Sequence, residues 1–180
     1  HGKDALSLLN YLCVSEMDVP IGKIVYTQML NSESGTESDL TITRLGEEEF
    51  MAITSPTSHN KDFYWIKNNS TEYVDLQIDD ITEKFGCLSI MGPKSRNLLQ
   101  RITDEDVSNN TFPFGHSIKA QILNAECQIN RITYVGELGY EIYIPMGDMQ
   151  GVVDLIDCEG KKYNLSLAGY HALNSLRMEK

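Results

Sequence analysis

Four side chains in this sequence combine reactive chemistry with suggestive spacing: Asp39, Tyr134, Glu141 and Arg177. Asp39 lies in SGTESDLTITRL, residues 34–45, where a Ser-Gly-Thr turn leads into strict alternation. Strand side chains have a period of two, so Leu40 and Ile42 share one face while Asp39, Thr41 and Thr43 share the other. A carboxylate whose same-face companions are hydroxyls fits a solvated face. It equally fits a base or hydrogen-bond acceptor aimed into a cleft, and the pattern leaves both open.

Tyr134 and Glu141 lie in RITYVGELGYEIYIP, residues 131–145. Tyr134 is expected to end one strand, Gly136 and Gly139 to permit a tight reversal, and Tyr140 to Ile144 to form the return. Tyr140, Ile142 and Ile144 then share a face, leaving Glu141 beside Tyr143 on the other. Such a hairpin brings Tyr134 and Glu141 within cross-strand reach. An aromatic wall beside a carboxylate that accepts two N–H bonds suits a flat heterocycle with amide-like donors. A hairpin with a merely polar outer face has the same pattern.

Arg177 and Glu179 fall in LNSLRMEK, where Leu173 and Leu176 give a stripe expected to be buried. As a surface pair the two charges would contribute only a few tenths of a kcal/mol. GPKSR, residues 92–96, lacks the GxxxxGK[ST] phosphate-loop spacing and fits a helix start, with Pro93 suited to the first turn. The histidines His1, His59, His116 and His171 have no metal-ligand spacing.

The elements that must position these groups follow from periodicity. Ala5, Leu6, Leu8, Leu9 and Leu12 predict a helix over about residues 3–13. KIVYTQML, ESDLTITRL and EEFMAITS predict three strands, and residues 57–68 a helix. VDLQIDD alternates again, and FGCLSIM predicts a short strand apolar enough for burial on both faces. The helix GPKSRNLLQRIT follows, then strands in SIKAQIL, CQINRITYV and YEIYIP, and helices over about 147–157 and 167–180. Helices interleaved with strand-to-strand hairpins give an α+β class with a mostly antiparallel sheet. No repeat, low-complexity run or Gly/Ser linker interrupts the chain, which predicts a single compact unit.

Composition narrows the function classes. A formal charge of -11 over 180 residues, with no Lys/Arg run, argues against nucleic-acid binding. No apolar stretch approaches the roughly 18 residues of a membrane span. Cys13, Cys87, Cys127 and Cys158 form no CxxC pair and fit scattered, reduced core thiols. Both ends read as cut through helical pattern, so the chain is expected to be a fragment.

Taken together, the strings YTQMLN, SGTESDLTITRL, SIMGPKSRNLLQ, TFPFG, RITYVGELGYEIYIP and ALNSLRMEK resemble the folate-binding domain of the aminomethyltransferase (glycine-cleavage T-protein) superfamily. The wording TESDLTITRL, SNNTFPFG and VGELGYEIYIP resembles its sarcosine dehydrogenase branch. The resemblance covers nearly the whole chain and implies that residues 1–180 are part of such a domain. A flavin domain and a C-terminal barrel would lie outside it.

Carried over residue by residue, the resemblance implies that Asp39 is the essential acid, engaging the folate amine that attacks a one-carbon unit. Glu141 would grip the pterin, with Tyr134 as an aromatic neighbour, and Tyr26 and Arg177 would be further folate-site residues. The implied cofactors are tetrahydrofolate and, in the absent domain, FAD. The implied partners are an N-methyl amine substrate, folate and the remainder of the polypeptide, in the mitochondrial matrix. A glycine-cleavage aminomethyltransferase and a non-catalytic regulatory subunit of pyruvate dehydrogenase phosphatase share the motifs and remain alternatives. Two departures stand out: Leu173 replaces a folate-contacting Arg, and SGTESD replaces a turn of two glycines followed by two acids. Folate carboxylates also call for cations in an acidic chain, for which Lys61 and Lys67 are the local candidates.

Overall fold

The alternating sequence between residues 24 and 53 forms three antiparallel strands in the computed structural model, which describes residues 1–180. They are β1 (Ile24–Leu30), β2 (Thr36–Arg44) and β3 (Phe50–Ile53), in the order β1-β2-β3. Helix α1 (Ala5–Leu12) buries Ala5, Leu8, Leu9 and Leu12, the i, i+3, i+4, i+7 stripe that periodicity requires. With Met17, Met29, Leu40 and Ile42 these leucines form one apolar cluster, flanked by Trp65 and Ile66 of α2 (His59–Asn68). The strand faces follow the pleat: Leu40 and Ile42 point into this cluster, and Asp39 and Thr41 point away.

VDLQIDD is not a strand. Leu76 and Ile78 do alternate onto the cluster, but the segment has no strand partner. Its backbone bonds go instead to the first residues of the chain, Asp4 N–H to Asp75 O at 3.1 Å and Gln77 N–H to His1 O at 2.8 Å.

A second apolar cluster is built from residues 85–156. Strands β4 (Phe85–Met91), β5 (Ser117–Ile122), β6 (Ala125–Asn130) and β7 (Gly139–Pro145) form an antiparallel sheet in the order β4-β7-β6-β5. One face presents Ile90, Ala120, Ile122, Cys127, Ile129, Tyr140, Ile142 and Ile144 to Leu98, Leu99 and Ile102 of α3 (Ser95–Ile102). It also meets Val152 and Ile156 of α4 (Met149–Gly160). The last helix, α5 (Tyr170–Met178), buries no residue completely.

The two clusters correspond to two compact units, His1–Asp80 and Ile81–Lys180, rather than the single unit expected. Each has its own sheet and its own set of covering helices. FGCLSIM is β4, an edge strand whose Cys87 and Ser89 are exposed, so it is not buried on both faces. All four cysteines are free; Cys13 and Cys127 are core thiols as expected, whereas Cys87 and Cys158 are exposed. No helix is long and apolar enough to cross a membrane.

Candidate functional site

In the first unit, the β1–β2 register sets Gln28 opposite Asp39 and Tyr26 opposite Thr41. The diagonal lets the Tyr26 hydroxyl donate to Asp39 Oδ2 at 2.6 Å. Both side chains lie on the exposed face, Tyr26 at 63% of its full accessibility. Two of the expected folate-site residues are therefore directly hydrogen-bonded. The neighbouring acid Glu37 receives Asn31 Nδ2 at 2.8 Å on Oε1. Lys61 donates to the Glu37 backbone carbonyl, with its ammonium 3.8 Å from Glu37 Oε2 and 4.0 Å from Asp62. Lys67 sits 5.8 Å above the Phe63 ring. Lys61, one of the two candidate cations, is thus committed to local carboxylates.

In the second unit, Glu141 projects from β7 on the face opposite the core. The ladder places it between Ser89 of β4 and Asn130 of β6. One row along, Tyr143 lies between Cys87 and Gln128. Tyr143 donates its hydroxyl to Glu141 Oε2 at 2.6 Å. Burial, and next the Glu141 charge, push the Tyr143 phenol well above its ordinary range, which keeps it a donor.

Tyr134 does not end a strand, because β6 stops at Asn130, and Asn130 is the residue facing Glu141. The loop after β6 supplies Tyr134 instead. Arg131 N–H donates to His116 O at 2.8 Å and its guanidinium to Phe112 O at 2.6 Å. Gly92 N–H holds Leu138 O at 2.8 Å on the other side. Between these anchors Gly136 takes φ +87°, a left-handed turn that glycine adopts without strain.

Tyr134 and Glu141 do line one cavity, of about 260 Å³. Ser89 and Met91 of β4 complete its sheet side, and Tyr170, Leu173 and Asn174 of α5 its helix side. Glu141 is the only charged residue in this lining. Arg177 lies one turn beyond, its guanidinium 5.1 Å from the centre of the Tyr134 ring. It backs the aromatic wall and does not line the cavity. Leu173, where the resemblance expects an Arg in a folate enzyme, faces the cavity as an apolar side chain. Leu176, expected to be buried, is 39% exposed. Tyr170, Leu173 and Asn174 share a helix face by their i, i+3, i+4 spacing, a signal present in the sequence. Ser89 and Met91 carry no comparable signal, since their place depends on the β4–β7 register.

This mixed architecture of helices and antiparallel sheets is shared with an aminomethyltransferase T-protein. The family model described as the GCVT N-terminal domain matches residues 1–180, and the chain belongs to that family. It is 39% identical over 180 residues to a 4-methylaminobutanoate oxidase (formaldehyde-forming) from Paenarthrobacter nicotinovorans, covering 99% of this chain and 22% of the relative. It is 33% identical over 193 residues to mitochondrial sarcosine dehydrogenase from Homo sapiens, covering 99% of this chain and 21% of that protein. The crystal structure of the glycine cleavage system aminomethyltransferase T from Bartonella henselae matches 99% of the chain and 46% of its own length. Its TM-score is 0.84 at 25% identity. The chain thus spans about a fifth of the length of the two curated relatives.

Proposed function

We propose that this chain is the folate-binding part of an FAD-dependent N-methyl amine dehydrogenase similar to sarcosine dehydrogenase, passing a one-carbon unit to tetrahydrofolate. The observation that carries the reading is the cavity in which Tyr134 and Glu141 meet. Its volume of about 260 Å³ is below the ~300–1,000 Å³ of pockets that take a whole drug-sized ligand. It suits a single flat ring system, with the rest of the molecule outside. A reduced pterin presents N–H donors along one edge, and a lone carboxylate in an otherwise uncharged, aromatic and thioether-lined cavity is the matching acceptor. Mitochondrial sarcosine dehydrogenase among the relatives supports a mitochondrial matrix location, whereas the Paenarthrobacter relative is bacterial and is described as formaldehyde-forming.

Each residue has a definite task. Glu141 accepts the pterin N–H groups and fixes the ring's orientation. Tyr134 forms one wall, held in place by Arg177. In the first unit, Asp39, steadied by the Tyr26 hydroxyl, has the chemistry of a hydrogen-bond acceptor or general base, the role the family resemblance gives it. General-base help of this kind contributes ~10²–10⁴-fold in rate. FAD, bound outside these residues, would supply oxidation of the N-methyl group; no residue of this chain is assigned to it. Leu173 and the lack of a cation in the cavity lining separate this site from one that holds a folate carboxylate beside the ring.

Titration of the full-length protein with tetrahydrofolate by calorimetry tests the reading. Saturable 1:1 binding that Glu141→Gln weakens supports it. A folded protein that takes up no folate refutes it and favours a non-catalytic role.

A further inference from the structure

We propose that Tyr143 is a positioning residue, holding the Glu141 carboxylate in the orientation that receives the ligand's N–H donors; this rests on the folate reading of the cavity. Tyr143 is not among the residues lining the cavity, whereas Glu141 is. Any effect of Tyr143 on a ligand must therefore pass through Glu141. The Tyr143–Glu141 hydrogen bond, at 2.6 Å, is the one hydrogen bond the carboxylate makes. Ser89 and Asn130, its neighbours across the ladder, make none to it. Asn130 turns its Oδ1 to the Ser117 hydroxyl and leaves Nδ2 unpartnered.

Gln128 and Cys87 flank the bond on its two sides. Gln128, beside Tyr143, donates its amide to Ser117 Oγ at 2.6 Å and to Ile118 O at 3.2 Å, so it does not compete for the phenol. Cys87, on the other side, has its thiol pushed up to about 11, first by desolvation against its neighbours and then by the Glu141 charge, although the residue lies on an exposed edge. It stays neutral and, although within reach of the phenol, is a weaker acceptor than the carboxylate that the hydroxyl meets at 2.6 Å. With Oε2 held by Tyr143, Oε1 remains without a protein partner, and the carboxylate is restrained by a residue that does not itself line the cavity. A glutamate otherwise free to rotate about three side-chain bonds is thereby set in advance for a ligand with two parallel donors.

The test is a double-mutant cycle in the full-length protein, with the Kd for tetrahydrofolate measured by calorimetry and folding checked by thermal melting. Tyr143→Phe keeps the ring and removes the donor. Its expected effect is a rise in Kd of about tenfold, the order seen when one hydrogen bond to a charged group is lost. Glu141→Gln is expected to raise Kd by at least as much. If Tyr143 acts through Glu141, the double variant matches Glu141→Gln to within about twofold, because a side chain that positions another adds nothing once its client is altered. Two results overturn the role: an unchanged Kd in Tyr143→Phe while Glu141→Gln weakens binding, or losses that multiply in the double variant. An unchanged Kd in Glu141→Gln instead removes the folate reading of the cavity itself, and the positioning role with it.

Discussion

Replacing Tyr134 by Ala separates the wall of the cavity from everything else the residue does. The ring is 47% exposed, with Arg177 5.1 Å from its centre and the remaining surface turned to the cavity. Two losses follow, of different kinds. The exposed cation–π contact is worth ~0.5–1 kcal/mol of stability, which in a protein of this size lowers Tm by only about 1–4 °C. The stacking surface matters more for binding. Alanine substitution under a flat aromatic base costs ~1–3 kcal/mol, and a half-exposed single wall belongs at the lower end, about 1–1.5 kcal/mol. At 1.4 kcal/mol per factor of ten, tetrahydrofolate should bind about five- to tenfold more weakly. Tyr134→Phe keeps the ring and should stay within about twofold of wild type. Arg177→Ala should reproduce the small loss in Tm but less of the loss in affinity. Calorimetric titration paired with thermal melting of the three variants provides the comparison. The argument fails if Tyr134→Ala leaves Kd unaltered, or if Tyr134→Phe costs as much as Tyr134→Ala.

Asp39→Ala should leave amine-dependent flavin reduction in the full-length protein nearly intact while cutting methylenetetrahydrofolate formation by ~10²–10⁴-fold, followed by product chromatography; undiminished product would remove Asp39 from its role. Tyr140, fully buried against Phe112 and accepting from Arg96 Nε at 3.1 Å, anchors the strand that carries Glu141. Tyr140→Ala should cost ~3–5 kcal/mol in denaturant unfolding, and a loss below about 1 kcal/mol would contradict that packing. Burial raises the Cys13 thiol from 9.0 to about 11, and burial followed by the Asp148 charge does the same for Cys127. Because the folded state holds these protons more tightly, their contribution to stability is complete below about pH 9 and is lost as pH rises to about 11. Unfolding free energy should therefore fall across that range, and a Cys13→Ala/Cys127→Ala variant should show a flatter profile.

The fold was legible where period and burial agree. The stripe Ala5, Leu8, Leu9, Leu12 and the alternation Leu40, Ile42 against Asp39, Thr41 follow from helix and strand geometry alone, and both elements form as expected. Legibility failed where a pattern depends on a partner. VDLQIDD has the side-chain alternation of a strand, but its backbone bonds to residues 1–4, and no local feature announces that choice. FGCLSIM is apolar enough for a central strand, yet the ladder order leaves it at the sheet edge with Cys87 exposed. Hydrophobicity reports what a segment tolerates, whereas its place in the sheet is set by pairing between residues about fifty to sixty positions apart.

The cavity shows the same division at the scale of single side chains. A hairpin register taken from RITYVGELGYEIYIP puts Tyr134 across from Glu141, and the two do share a cavity, but by another route. The ladder ends four residues earlier, at Asn130, and a loop pinned by Arg131, Gly92 and Leu138 delivers the tyrosine. The two residues meet in spite of the register because the loop has fixed ends and a left-handed glycine in the middle. Tyr143 is the complementary case. Its neighbourhood with Glu141 was plain from period two, since residues i and i+2 of a strand share a face. The hydrogen bond between them follows from that spacing with no tertiary information at all. Residues that touch a ligand are gathered by long-range pairing, and those that aim them can be their nearest neighbours in sequence. The second kind is the kind that sequence alone is best placed to find.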